Sequence, residues 1–484
     1  MNQNMTGNNS SQSRAYVAML TLVATLGGLL FGYDTAVISG TVSALRSMFI
    51  DPYQWPETVA NSWHGFTVAS ALTGCILGGL AGGKVSRILG RKRGLILAAV
   101  LFLVSAIGSA IPELFFKPAG EADHTFLTAF IIYRIIGGVG VGLASMLSPM
   151  YIAEIAPPEI RGKLVSWNQF AIILGMLVVY FVNYSIALQG NAEWLNEWGW
   201  RWMFASEIIP ALLFLSLLFF VPETPRYLAL KNRDHKAMEI LTRINGKEKA
   251  GVIMSEIRLT LGGHRDKLFS FGTLVIVIGI LLSVFQQFVG INVVLYYAPE
   301  IFKNMGSGTN LSLMQTIIVG IINLSFTVLA IYTVDRFGRK ILQITGALGM
   351  ALFMFILGTS FYLGELGWIA LLAMLGYVAS FAFSWGPVTW VLLSELFPNR
   401  IRGAAMAAAV AAQWISNLLI SWTFPVLNNS TWLTEKFNHG FAYWIYGIMG
   451  LLAAWFVWKL VPETKGKTLE EIERIWASSK KRTL

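Results

Sequence analysis

Three ionisable residues sit in stretches otherwise too apolar to hold a charge: Asp34 in LLFGYDTAVIS, Arg134 in FIIYRIIGGVGVG and Glu207 in FASEIIPALL. An unpaired charge in hydrocarbon costs several kcal/mol, so such residues are functional by default. Arg134 is the only basic residue read as deep inside an apolar stretch, and one buried cation wants one buried anion. Asp34 is the obvious partner. A carboxylate that can pair with a guanidinium or carry a proton instead is a proton-coupling group, and Glu207 either completes that network or reaches back to the interface. His64, near the start of another apolar stretch, reads as a satisfied interfacial side chain rather than a proton shuttle.

A second set carries no charge. SVFQQFVGINVVLYYAP places Gln286, Gln287 and Asn292 among apolar residues, where each amide can donate and accept at once. That chemistry suits vicinal hydroxyls. On a straight helix Asn292 would lie about 140 degrees from Gln287 and about 120 degrees from Gln286, so the three converge only if the helix breaks. Gly290 lies between them and permits a break. Amides can also glue neighbouring helices together, at about 0.6 kcal/mol each, but three such groups so close in sequence favour a cavity. Gln169 in SWNQFAI, Gln413 and Trp414 in AAQWIS, and Trp390 behind the Gly386 and Pro387 breaker in SWGPVTW extend the set. Amides for hydroxyls and aromatic faces for C–H surface together suit a sugar. Tyr296 is weaker, because Tyr296, Tyr297 and Pro299 also fit the edge of a membrane.

The elements that must position these groups are membrane helices. Only 13% of the 484 residues are charged, 55% are hydrophobic and mean hydropathy is +0.61, far from the roughly 25% charged residues of soluble domains. Apolar stretches near residues 16–40, 62–83, 94–112, 128–152, 164–187 and 202–221 are long enough to cross a bilayer. Six more follow near 271–299, 312–333, 341–363, 367–397, 402–426 and 440–461. Twelve spans put both termini on one side, and the segments on that side carry 30 Lys and Arg against 5 in the opposite loops. The positive-inside rule makes that side cytoplasmic.

The chain thus divides into a tail (1–15), a six-helix bundle (16–221), a polar linker (222–270), a second bundle (271–461) and a second tail (462–484). The net charge of +10 follows from this asymmetry and from attraction to anionic membrane lipid, with no need of a nucleic-acid partner. Cys75 is the only cysteine, so no intrachain disulfide is expected, and no His or Cys spacing suits a metal; no cofactor is called for. The polar first 14 residues lack the pattern of a cleaved leader, so the first span should remain.

The two bundles are copies. EIAPPEIRG at 154–162 returns as ELFPNRIRG at 395–403, GRK at 90–92 returns at 338–340, and PET at 222–224 returns at 462–464. Three ordered pairs at nearly one offset point to tandem duplication, a common plan of secondary transporters. Glu154 and Arg161, then Glu395 and Arg402, end matching helices near Arg91 and Arg339, which suggests salt bridges at a cytoplasmic gate; positive-inside topology alone is the competing account. In the linker, Ala237, Ile240, Leu241 and Ile244 follow helical spacing behind Asp234, an expected N-cap, and Met254, Ile257 and Leu261 form a second stripe. Thr468 and Glu471 fit a capping box for a last helix with Leu469, Ile472 and Trp476 on one face, and disorder is expected after Lys480.

PETPR at 222–226, PETKG at 462–466, RxGRK at 336–340 and above all QQFxGIN at 286–292 resemble the sugar porter branch of the major facilitator superfamily. The resemblance implies an all-α membrane fold of 12 helices in two six-helix halves plus short cytoplasmic helices. It implies a bacterial inner-membrane protein, functional as a monomer, that carries a monosaccharide, with D-xylose the expected one, together with a proton. Sugar contacts are implied at Gln169, Gln286, Gln287, Asn292, Trp390, Gln413 and Trp414, with Phe31 and Tyr296 nearby, and proton coupling at Asp34, Arg134 and Glu207. Facilitative glucose carriers of the branch have asparagine in place of Asp34, so the acid argues for symport over uniport. The first-half loop SRILGRK departs from the family's DRxGRR: Arg87 replaces the acid and Ile88 the arginine, which weakens the expectation of a gate bridge there. A transport-dead sugar receptor and a membrane enzyme acting on lipid-linked sugars are the rivals, disfavoured by the intact Asp34 and Arg134 and by the lack of an acid pair outside the repeats.

Overall fold

The computed structural model describes residues 3–157, 160–261, 268–398, 401–465 and 471. Among these residues every regular element is a helix, as hydrocarbon requires, because only helices and closed barrels satisfy their own backbone there. Twelve helical segments are long and apolar enough to cross: Ala15–Gly40, Glu57–Ile88, Arg91–Ala110, His124–Ile155, Arg161–Ala187, Ala192–Phe220, Leu274–Asn304, Thr309–Val334, Arg339–Leu363, Trp368–Leu396, Arg402–Asn428 and Phe441–Leu460. These are called the first to twelfth spans below.

The duplication governs the packing. Across the boundary between halves the second span lies on the eleventh, and its counterpart, the eighth, lies on the fifth. Within the first half the second span packs on the fourth most extensively, and their sequences say why. A Cβ built at Gly138 would fall 1.8 Å from the Ala71 carbonyl oxygen, and one at Gly74 would fall 2.0 Å from that of Ile135. Lipid gives little hydrophobic reason for helices to associate, so small residues that admit close backbone contact do it instead.

Three spans are interrupted. The seventh runs Leu274–Phe288 and then Ile291–Asn304, with Gly290 at φ 92° between them. The tenth runs Trp368–Phe383 and Trp385–Leu396 about Ser384, upstream of the expected breaker at Gly386 and Pro387. Pro387 lacks an N–H and its ring clashes with the carbonyl four residues earlier, so it fits the first turn of a new helix and moves the break toward Ser384. The sixth span starts at Ala192, ten residues before the apolar stretch suggested, passes a π turn at Leu195–Gly199, and is interrupted at Ser206 and Glu207 ahead of Pro210.

The linker holds three helices, Pro225–Leu230, Asp234–Asn245 and Lys247–Leu261, closed over Leu228, Ala237, Leu241, Ala250 and Met254. Asp234 is not the N-cap expected of it; Arg233 occupies that position and Asp234 begins the helix, where its charge favours the helix dipole. Thr468, Leu469, Ile472 and Trp476 lie outside the described residues.

The halves meet at the end opposite the termini. There Glu57 accepts from the Thr431 amide (2.6 Å) and hydroxyl (2.5 Å), Trp422 Nε1 donates to the Ser62 carbonyl (2.9 Å), and Lys303 Nζ donates to Ser43 Oγ (2.5 Å). At the end bearing the termini no hydrogen bond or ion pair joins the halves among the described residues. Gly138→Val should disrupt the second and fourth spans: overpacking costs about 1–3 kcal/mol, expected as a lower midpoint of thermal unfolding in detergent, and an unchanged midpoint would show that the backbones can separate freely.

Candidate transport site

The first, fourth and sixth spans bring Asp34, Arg134 and Glu207 into the interior of the first half, all buried. Arg134 Nη1 donates to Asp34 Oδ1 at 2.8 Å and Nη2 donates to the Asp34 backbone carbonyl at 3.0 Å, while the guanidinium lies 5.3 Å from the Phe204 ring centroid. Arg134 Nε is buried without a hydrogen-bond partner, and the Glu207 carboxyl lies against that of Asp34, a carboxyl–carboxyl contact that one proton turns into a hydrogen bond. A half-satisfied ionic cluster is expensive. Glu207 interacts electrostatically with both Asp34 and Arg134, and the break at Ser206 and Glu207 supplies its backbone setting: Ser206 Oγ donates to the Met203 carbonyl (2.5 Å) and meets Tyr33 Oη at 2.7 Å. Ser105 Oγ is also buried without a partner. Gly137 leaves open the space beside it, since a Cβ there would fall 2.2 Å from Ser105 Oγ and 3.2 Å from Asp34 Oδ1.

The amides lie mostly in the second half. The turn at Gly290 brings Asn292 back to Gln287, whose Oε1 accepts from Asn292 Nδ2 at 2.5 Å. Gln286 spends its donor elsewhere: Nε2 donates to the Trp385 carbonyl at 2.8 Å, fastening the seventh span to the tenth just past its break, and leaves Oε1 buried without a partner. Gln413 Oε1 is likewise without a partner. Gln169, Asn292, Trp390 and Gln413 are partly exposed and Trp414 is buried. Trp414 of the eleventh span packs against Phe31 of the first, centroids 5.5 Å apart, which joins the two halves beside the amides. Tyr296 is buried and its hydroxyl accepts from Asn417 Nδ2 at 3.4 Å, so it faces the interior rather than the membrane edge. His64 is buried with Nε2 3.0 Å from the Val42 carbonyl, a local structural contact.

Near the termini the repeated motifs build the same network twice. Arg91 Nη2 donates to Glu154 Oε1 (2.7 Å) while Thr224 Oγ1 donates to Glu154 Oε2 (2.6 Å). Arg339 grips Glu395 with Nε (3.1 Å) and Nη2 (2.8 Å), and Thr464 Oγ1 donates to the same carboxylate (2.6 Å). Glu223 and Glu463 accept from the backbone amides that open the third and ninth spans. Burial pushes the Glu223 carboxyl above its ordinary range, against the lowering effect of those amides. Arg161 and Arg402 stand outside these pairs: Arg161 is exposed with no ion pair among the described residues, and Arg402 turns to the Phe397 carbonyl at 3.2 Å. The Arg91 pair forms although Arg87 and Ile88 replace the expected motif residues, because Glu154 takes its hydrogen bonds from Arg91 and Thr224. In the sequence PET stands out as a repeat and as part of a family motif, but nothing in it points to this role.

A second buried ion pair was also missed from the sequence. Arg201 Nη1 donates to Glu113 Oε1 at 2.9 Å, and its guanidinium lies 4.7 Å from the Trp200 ring. The signal available was an arginine between two tryptophans, in GWRWM, assigned to a loop.

Residues 20–476 match the family model described as "Sugar (and other) transporter". The chain belongs to the sugar transporter family. The D-xylose-proton symporter of Escherichia coli (strain K12) is 60% identical to this transporter, over 98% of this chain and 99% of its own. The glucose facilitated diffusion protein of Zymomonas mobilis is 42% identical over 97% of this chain and 100% of its own. Among solved structures, the inward open conformation of the xylose transporter XylE from E. coli superposes with a TM-score of 0.87 at 60% identity, covering 95% of this chain and all of that one. The transporter is therefore a multi-pass membrane protein of the major facilitator fold.

Gly290→Ala should lower the thermal midpoint more than Gly246→Ala. Both positions have positive φ, 92° and 81°, but a Cβ at 290 meets the Tyr446 ring at 2.8 Å whereas one at 246 meets nothing within 4 Å. Equal losses would mean that Tyr446 yields freely.

Proposed function

We propose that this transporter carries D-xylose inward with a proton by alternating access, the two halves rocking about a site between them. The observation that carries the reading is the buried, incompletely satisfied Asp34–Arg134 pair with Glu207 beside it, in a chain 60% identical to a D-xylose-proton symporter. Ionised, Asp34 holds Arg134. Protonated, it loses its charge and releases the guanidinium, and the fourth span is free to shift against the first. Glu207, whose carboxyl neighbours both Asp34 and Arg134, is the acceptor available to the freed arginine.

The sugar is proposed to bind among Gln169, Gln286, Gln287, Asn292, Trp390, Gln413 and Trp414, with Phe31 and Tyr296 at its margin. Free amide oxygens on Gln286 and Gln413 accept from sugar hydroxyls, and the indole faces take the C–H surface of the ring. The Arg91–Glu154 and Arg339–Glu395 pairs, each tying helix ends within one half, are proposed to hold each half rigid at the gate. Arg161 and Arg402 add positive charge beside it. The positive-inside pattern supports cytoplasmic termini in a bacterial inner membrane, and a monomer in the lipid is proposed as the working unit. One proton crossing ~100 mV supplies about 2.3 kcal/mol, roughly 50-fold accumulation of sugar before any pH gradient is added.

Uptake of labelled xylose into proteoliposomes tests the coupling. Asp34→Asn should abolish accumulation against a gradient while exchange between equal pools stays measurable; undiminished accumulation would refute coupling through Asp34. For the sugar site, Gln287→Ala or Trp390→Ala should weaken binding about tenfold or more, the worth of one well-placed contact of ~1.4 kcal/mol. Calorimetry giving wild-type affinity for both variants would remove the proposed site.

A further inference from the structure

Between the linker and the first half lies a cavity of about 740 Å³. Six of its side chains are cations, Lys92, Arg93, Lys231, Arg233, Lys236 and Arg243, and two are carboxylates, Glu223 and Glu239. Glu223 is already engaged by the backbone amides of Arg91, Lys92 and Thr224. None of the six cations ends on a carboxylate among the described residues: Lys92 Nζ donates to the Phe219 carbonyl (3.0 Å), Arg243 lies 3.9 Å from the Tyr16 ring centroid, and Lys231 lies 5.6 Å from that of Tyr227.

Cations kept only to orient the loops need to be on the correct side of the membrane and nothing more. These six converge instead from two separate segments, the start of the third span and the linker helices, on one concavity. Six cations against two carboxylates, one of them already taken by backbone amides, leave an excess of positive charge, so the arrangement favours an anion. The position narrows the choice. Lys92 and Arg93 occupy the first turn of a membrane span, at the level of lipid headgroups, and Ile96, one turn deeper, gives the cavity an apolar wall.

We propose that this cavity binds a phosphate-bearing anion, as an anionic lipid headgroup or as a free phosphate. Bound there, the anion bridges the third span to the helices of the linker. The linker is the chain's only covalent connection between the halves, so occupancy fixes it to the first half.

The test is thermal unfolding of the full-length protein in neutral detergent, titrated at constant ionic strength with dioctanoyl phosphatidylglycerol, dioctanoyl phosphatidylcholine or inorganic phosphate. Phosphatidylglycerol should raise the midpoint saturably and phosphatidylcholine should not; an equal effect of inorganic phosphate would assign the site to free phosphates, and its failure would assign it to lipid. Arg233→Gln with Lys236→Gln, both exposed, should raise the half-saturating concentration about tenfold or more. Arg87→Gln with Lys163→Gln, which removes as much charge from the same face outside the cavity, should leave it unchanged. No saturable shift with either anion, an equal shift with phosphatidylcholine, or equal weakening by the two double variants would overturn the proposal.

Discussion

Hydrocarbon offers no partner to an unpaired backbone group, and each one left there costs several kcal/mol. The rest of this structure follows from how that constraint is met. Nine spans meet it by running unbroken, and three meet it by turning their interruptions inward, where side chains of other spans can serve the backbone. Tyr377 Oη donates to the Val289 carbonyl beside the break in the seventh span (2.7 Å), and Gln286 reaches the Trp385 carbonyl past the break in the tenth. Ser206 takes the Met203 carbonyl at the break in the sixth. Each interruption thereby turns from a defect into a fixed polar feature of the interior.

The same constraint explains why the proposed sugar and proton groups lie where they do. A helix that breaks frees its side chains from the hundred-degree spacing of a regular one, and only then can Gln287 and Asn292 meet. Glu207 sits at the interruption of the sixth span, within electrostatic reach of Asp34 and Arg134. The two halves differ in what they place around these breaks. The first keeps the ionisable cluster and the second most of the neutral amides, with Gln169 and Phe31 the first half's contributions beside them.

At the end bearing the termini the duplication is preserved almost atom for atom, with arginine, glutamate and threonine in one cluster per half. These clusters stiffen each half without joining the two. Polar contacts between the halves cluster at the opposite end, among them Glu57 with Thr431, Ser62 with Trp422 and Ser43 with Lys303.

The twelve spans, the duplication and the buried charges Asp34, Arg134 and Glu207 were legible in the sequence, because bilayer thickness sets segment length and because a charge in an apolar run is conspicuous. Gly290 as a break was legible too, since glycine between amides that cannot otherwise converge has one evident use. What only the tertiary structure decided were matters of partner choice. Arg91 and Arg339, not Arg161 and Arg402, hold Glu154 and Glu395; the break in the tenth span falls at Ser384, upstream of Pro387; and Gln286 spends its donor on a neighbouring helix. Arg201 was hidden by the reading that placed it in a loop, and its Glu113 lies 88 positions away. Such pairings are invisible in a linear chain for one physical reason. Hydrophobicity and helical period act locally, whereas a hydrogen bond is decided by which donor and acceptor the packed helices bring within 3 Å.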